Sequence, residues 1–188
     1  MRICFIRHGE TNWNSQSLIQ GQINNPLNAN GIKQAENLAD KLIELGTNWD
    51  VFFSSPLSRA FDTANIVAKK MQFQSAIIVD KKLIERDFGK IEGMQLSDKV
   101  YDLIISESEP TLEKVDLLKL RIINFIKSSY KKYPSKNILA FTHSHIIKGL
   151  KYTLDSNYSF RNSLSNCSLF QIEYDGKKIK EINFWPCK

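Results

Sequence analysis

Residues 3–14 read Ile3-Cys4-Phe5-Ile6-Arg7-His8-Gly9-Glu10-Thr11-Asn12-Trp13-Asn14, and this stretch decides the fold. Its four leading apolar residues run without alternation. That suits a parallel strand covered on both faces rather than one half in water. Similar runs follow at residues 51–53, 76–79 and 138–141, with helical patterns between them. Ala35, Leu38, Leu42 and Leu45 fall on one helix face, with Asn28 placed to cap its start and Gly46 to stop it. Ser54-Ser55-Pro56 predicts a helix whose first residue is Pro56, running on through Ala60, Ala64 and Val67. Leu118, Ile122 and Phe125 mark another helix that Pro134 lies beyond, and Ile146, Ile147, Leu150 and Leu154 mark the last. A helix is also expected over 96–105. Strands alternating with helices predict an α/β, three-layer sandwich: a mostly parallel central sheet with helices on both faces. Asp175-Gly176, between residues 167–174 and 177–185, predicts an antiparallel C-terminal hairpin at the sheet edge.

Composition bounds the rest. The 188 residues suit one domain, 1–188, with one sizeable core. At 42% hydrophobic and 24% charged residues the chain is globular rather than disordered, and eight Gly and five Pro exclude collagen-like or Pro-rich chains. No apolar run approaches the roughly 20 residues of a membrane span. The start offers only four apolar residues before Arg7, too few for a signal peptide. Cys4, Cys167 and Cys187 are odd in number and lack metal-like spacing, which predicts a reducing compartment, hence the cytoplasm. The net charge of +6 comes largely from lysines scattered in pairs, such as Lys69-Lys70 and Lys131-Lys132. They read as solvated surface, not as a nucleic-acid stripe.

A strand ending in Arg7-His8-Gly9 puts two polar side chains at the carboxyl edge of a parallel sheet, where ligands bind in open α/β folds. Gly9 allows a sharp turn and close approach to a ligand. A helix N-terminus nearby would add N–H donors that favour phosphate. The residues therefore suggest an anion site beside a histidine. For a bare Arg-His pair, a satisfied buried histidine beside a surface arginine is the commoner arrangement.

Five segments in order resemble the histidine phosphatase superfamily, the phosphoglycerate mutase-like enzymes. They are RHGETNWN with the following QGQINNPLNANG (20–31), SSPLSRAFDTA (54–64), LIERDFGKIEG (83–93), FTHSHIIKGL (141–150) and SNCSLFQIEY (165–174). The resemblance implies His8 as a nucleophile that forms a phosphohistidine, its other ring nitrogen donating to a backbone carbonyl. It implies Arg7 and Arg59 as phosphate clamps, a task for which bidentate guanidinium groups are suited. Asn14 and His143 are implied as further phosphate donors, and Glu85 as the acid that protonates the leaving oxygen. Glu92 is the alternative acid, better suited to holding structure. Gln20 and Gly21 match positions near the substrate pocket, where Gln20 either lines the pocket or stabilises its loop.

The chain departs from the family pattern after the second histidine, where two small residues are usual and Ser144-His145 stand here. His145 is expected to face solvent or neighbouring loops; the other reading has it narrow the pocket or add a donor. The segment between Gly93 and Glu113, which caps the site in this superfamily, is short and implies an open pocket. A mutase must shield its phosphoenzyme from water, so the short cap favours hydrolysis of a small phosphomonoester. The alternatives are phosphoglycerate mutase-type transfer and a protein phosphohistidine phosphatase, with a non-catalytic phospho-ligand binder less favoured. No metal and no cofactor is implied: the arginines beside the histidines would repel a divalent ion, and no Walker-type loop is present. The expected partner is a small-molecule substrate, with neither nucleic acid nor membrane.

Overall fold

A computed structural model describes residues 1–186; Cys187 lies outside the described residues. In chain order the elements are β1 (Arg2–Arg7), α1 (Asn12–Ser15), α2 (Ala29–Glu44), β2 (Val51–Ser54), α3 (Ser58–Lys70), β3 (Ile78–Val79), α4 (Asp98–Ser106), α5 (Val115–Lys132), β4 (Asn137–Thr142), α6 (Ser144–Leu154), β5 (Leu169–Tyr174) and β6 (Ile179–Trp185). Two 3-10 turns, Lys81–Leu83 and Gly89–Ile91, lie between β3 and α4. The strands form one sheet in the order β3-β2-β4-β1-β5-β6. β1 and β2 both pair with β4 in parallel, and β3 adds to β2 in parallel. β5 lies antiparallel to β1, and β6 antiparallel to β5 at the edge.

The unbroken apolar runs are explained by two cores, one on each face. Ile3 and Phe5 of β1, with Ile138 and Ala140 of β4, pack under α5 and α6 against Ile122, Phe125, Ile147 and Leu150. The alternate residues Cys4, Ile6, Leu139 and Phe141 pack under α2 and α3 against Leu38, Leu42, Ala64 and Val67. Period-2 geometry thus sends neighbouring side chains into opposite cores. A third cluster, joining Ile19, Phe88 and Ile91 to Val100, Ile104 and Leu112, docks α4 over the carboxyl end of the sheet.

Local signals set most boundaries. Asn28 caps α2 by accepting from the Gly31 N–H at 2.8 Å, and Ser97 caps α4. Asp175 Oδ1 accepts from the Lys177 and Lys178 N–H groups in the hairpin turn, where Gly176 has φ +99°. Two boundaries differ from expectation. α3 starts at Ser58, not Pro56, because the Ser55 N–H still bonds the Phe141 carbonyl beside β4, and its hydroxyl accepts from the Leu57 N–H. Pro56 sits in the resulting turn. β3 keeps only Ile78 and Val79 because it pairs with just Phe53 and Ser54 at the sheet edge. No helix among the described residues is long and apolar enough to cross a membrane.

Candidate active site

β1 and β4 run side by side with Arg7 opposite Thr142, so the first residue past each strand is a histidine. The His8 N–H donates to the Thr142 carbonyl at 3.0 Å, and the His8 and His143 rings lie 5.1 Å apart. Both are buried. His8 Nδ1 lies 2.6 Å from the Gly9 carbonyl, which can only accept, so the proton sits on Nδ1. Nε2 then carries the lone pair, and the Arg59 Nε–H donates to it at 3.2 Å. Burial, with Arg59 and Arg7 nearby, holds the His8 imidazole well below its ordinary pKa, so it is neutral at pH 7. The same causes, burial first, hold His143 neutral. His143 Nε2 is hydrogen-bonded to the Ser55 hydroxyl at 2.7 Å, leaving Nδ1 buried without a partner among the described residues.

Beside the His8 ring is a cavity of about 300 Å³ that Arg7, Asn14, Gln20, Gly21, Arg59 and Glu85 also line, whereas His143 is fully buried against His8 and does not line it. Arg59 is fully buried in the first turn of α3, donating to the Ile23 and Gly21 carbonyls at 2.7 Å each. Burial lowers its pKa to about 10, which still leaves it charged at neutral pH. Arg7 donates from Nη1 to the Leu164 carbonyl, while its Nε is buried with no partner among the described residues. Asn14 Oδ1 accepts from the Thr11 N–H and from Asn166 Nδ2, each at 3.2 Å. That orientation leaves the Asn14 amide nitrogen as a donor toward the cavity. Gln20 lines the cavity, and its Oε1 accepts from the Thr11 hydroxyl at 2.9 Å. Gly21, at φ +50°, sits so close to the Glu92 carboxylate that any side chain would collide with it.

Glu85 is buried. Its Oε1 accepts from the Arg86 N–H at 2.8 Å and from the His145 N–H at 3.1 Å. Burial outweighs these bonds and the nearby arginines and raises its pKa above the ordinary glutamate value. Glu92 instead accepts from the Gln22 and Phe88 N–H groups, which ties two loops together away from the cavity. Arg121 of α5 fixes the loop that carries Glu85, donating to the carbonyls of Lys82, Ile84 and Glu85 while paired with Glu113. Tyr101 and Ile104 of α4 form one wall of the cavity, so the short segment after Gly93 stands over the site.

One expectation is narrowed: His145 faces neighbouring loops, not solvent. Its ring is wedged between Phe88 and Phe160, at 4.8 and 5.2 Å between centroids, and it lines the cavity. At Gly9 the missing side chain lets the loop lie on the first turn of α2, where a Cβ would overlap the Gly31 carbonyl. Sequence reasoning also missed four supports. Thr63 accepts from the Gly9 N–H, Asn166 donates to the His8 carbonyl, Ser55 holds His143, and Lys148 lies buried in the cavity wall. All four lie inside segments already singled out; for the first three the signal was a hydroxyl or amide within a motif.

The arrangement joins a neutral imidazole lone pair, an uncommitted donor on Arg7, a second buried imidazole, and a carboxyl whose pKa burial raises. Such a set can bind a phosphoryl group, attack it and protonate what leaves. A family model described as "Histidine phosphatase superfamily (branch 1)" matches residues 3–186. The "Uncharacterized phosphatase PhoE" of Bacillus subtilis (strain 168) is 32% identical over 185 residues, covering 96% of this chain and 93% of that protein. The "Metal-independent phosphoserine phosphatase" of Arabidopsis thaliana is 30% identical over 178 residues, covering 89% and 74%. The crystal structure of a phosphoglycerate mutase from Bacillus anthracis str. Sterne superposes with a TM-score of 0.84 at 27% identity, covering 97% of this chain and 91% of that one.

Proposed function

The chain belongs to the histidine phosphatase superfamily, and from that premise we propose a phosphomonoester hydrolase in which His8 is the nucleophile and 1–188 is one catalytic domain. The observation that carries the reading is the His8 ring, fixed by the Gly9 carbonyl with its lone pair in the cavity beside Arg59. In the first step Nε2 attacks phosphorus, the P–O bond to the alcohol breaks, and Glu85 gives its proton to the leaving oxygen. In the second step the Glu85 carboxylate takes a proton from water as the water oxygen attacks the phosphohistidine. The P–N bond breaks, and inorganic phosphate and neutral His8 are regenerated.

Arg7, Arg59, Asn14 and His143 donate to the phosphoryl oxygens, with most effect as charge grows on them in the transition state. Gln20 and Gly21 shape the wall, and the Gly21 carbonyl steadies Arg59. Every step uses groups of this chain, and no metal is assigned. The substrate is a small soluble phosphomonoester. Cys4, a buried free thiol, supports the cytoplasmic setting of this reading.

Incubation with a ³²P-labelled phosphomonoester and rapid quenching should trap label that is acid-labile and alkali-stable, as a phosphoramidate is. His8→Ala should abolish both label and turnover. Label mapping to a serine or cysteine would overturn the assignment. Isomerisation of a phosphoglycerate outrunning phosphate release in the same samples would favour mutase chemistry instead.

A further inference from the structure

Arg161, in the loop between α6 and β5, reaches across to α4. Its Nη1 donates to Asp98 Oδ1 at 3.2 Å and its Nη2 to Asp102 Oδ1 at 2.6 Å, and its guanidinium stands over the Tyr101 ring, 5.1 Å from the centroid. Asp98, Tyr101 and Asp102 are three and four residues apart, so they share one face of α4 and the guanidinium is seated on it. The ring beneath it is a wall of the cavity that holds His8 and Arg7. Tyr101 is half-buried, and its hydroxyl forms no hydrogen bond among the described residues. Burial lowers the Arg7 pKa, opposed by Glu85, by Cys167 and by the Tyr101 phenol, so that phenol belongs to the Arg7 end of the cavity. The loop that carries Arg161 also holds Arg7, through the Leu164 carbonyl, and His8, through Asn166. One strap therefore joins α4 to the phosphate end of the site.

We infer that Tyr101 is a further substrate-binding residue, its hydroxyl donating to the phosphoryl group beside Arg7, and that Arg161 is its positioning residue, clasping the ring from outside through Asp98 and Asp102. The inference rests on the hydrolase reading above for what fills the cavity, and adds to it a donor from α4. Arg7 and Arg59 offer only donors, and the phenol can offer one more, so this end is completed by a group with several acceptor oxygens. The clasp itself is exposed: the Asp98 and Asp102 side chains are 96% and 73% accessible. Each ion pair is therefore weak and screened by salt. A weak clasp suits a wall that must yield as substrate enters and product leaves, since it holds the donor in place without sealing the cavity.

A merely structural clasp would fasten α4 and nothing more, and the two roles can be separated with inorganic phosphate as the probe, its dissociation constant measured by calorimetry at low salt. Tyr101→Phe keeps the ring and loses only the hydroxyl. It should weaken phosphate binding about 10- to 100-fold, the range for a hydrogen bond to a charged group. Arg161→Gln should weaken it about 3- to 10-fold, within the worth of two exposed ion pairs and a cation–π contact. Arg161→Lys should recover part of that loss. In the Tyr101→Phe background Arg161→Gln should cost nothing further, because the ring then carries no donor to position. The advantage of the wild type over Arg161→Gln should also shrink as KCl rises from about 0.05 to about 0.5 M. A wild type that does not bind phosphate, a Tyr101→Phe protein that binds it as tightly as wild type, or an Arg161→Gln loss of equal size in both backgrounds would overturn the inference. None of these measurements needs turnover, so hydrolysis of p-nitrophenyl phosphate by the wild type tests the hydrolase reading separately.

Discussion

Glu85 sits where two opposed influences meet. Two backbone N–H groups favour its charged form, yet burial prevails and the carboxyl keeps its proton beyond the ordinary glutamate range. If it serves as the acid, its worth depends on the leaving group. Alkoxides leave poorly without a proton, whereas p-nitrophenolate needs none. Glu85→Gln should therefore cost about 10²–10⁴-fold in kcat/KM on alkyl phosphates and far less on p-nitrophenyl phosphate. Arg59→Ala should slow both esters alike, because it touches the group they share. The wild-type alkyl phosphatase should lose activity as pH rises through the raised Glu85 value, and that limb should vanish in Glu85→Gln. Equal losses on the two esters would remove Glu85 from the role. At this scale Arg7, His8, Arg59 and His143 were legible because each lies in a motif whose spacing is local. His145 and Lys148 were not. The partners that bury them, Phe88 and Phe160, come from loops whose approach to α6 no local pattern encodes.

The element that positions the first motif is α2. Its Asn28 caps the helix with Oδ1 and donates from Nδ2 to Glu10 at 2.9 Å, so one side chain ties the helix start to the loop after His8. Gly9 and Gly31 let the two backbones touch; a Cβ on Gly31 would overlap the Glu10 main chain. Gly31→Ala should thus destabilise the fold, even though alanine gains about 1 kcal/mol of helix propensity over glycine. Overpacking against rigid backbone typically costs about 1–3 kcal/mol. The displaced loop should also lower kcat. A urea midpoint at or above wild type with full activity would show that the contact is loose. The periodicity of α2, α5 and α6 was plain in sequence because one face of each meets a filled core. The start of α3 was misplaced because Ser55 obeys a partner in β4, a tertiary preference that overrides the local Ser-Pro signal.

Across the whole molecule three buried histidines, His8, His143 and His145, share one electrostatic sign. Each is held well below the ordinary value of 6.5, chiefly by burial. Below that value the unfolded chain takes up protons that the folded one refuses. Their contribution is complete above about pH 6.5 and declines as pH falls toward the lowered folded values. Glu85 acts oppositely: its raised folded pKa contributes at low pH and is lost as pH rises through it. With three groups against one, the urea midpoint should fall between pH 7.5 and 5. A flat or rising profile would contradict the burial of these rings. The sandwich itself was legible, since strands covered on both faces leave unbroken apolar runs; the docking of α4 through Phe88 and Leu112 was not, because it joins short loop segments. One further consequence follows from Arg7 lying opposite Thr142. His8 and His143 are far apart in sequence and meet only because each is the first residue past one of two paired strands. A slip of one residue between those strands would move one ring by about 3.3 Å and turn it to the other face. A collapsed chain with β1 mispaired could bury as much apolar surface and yet have no nucleophile beside its partner. Turnover during refolding is therefore a reporter of sheet alignment, and it should appear only after β1 has found β4 in the native register.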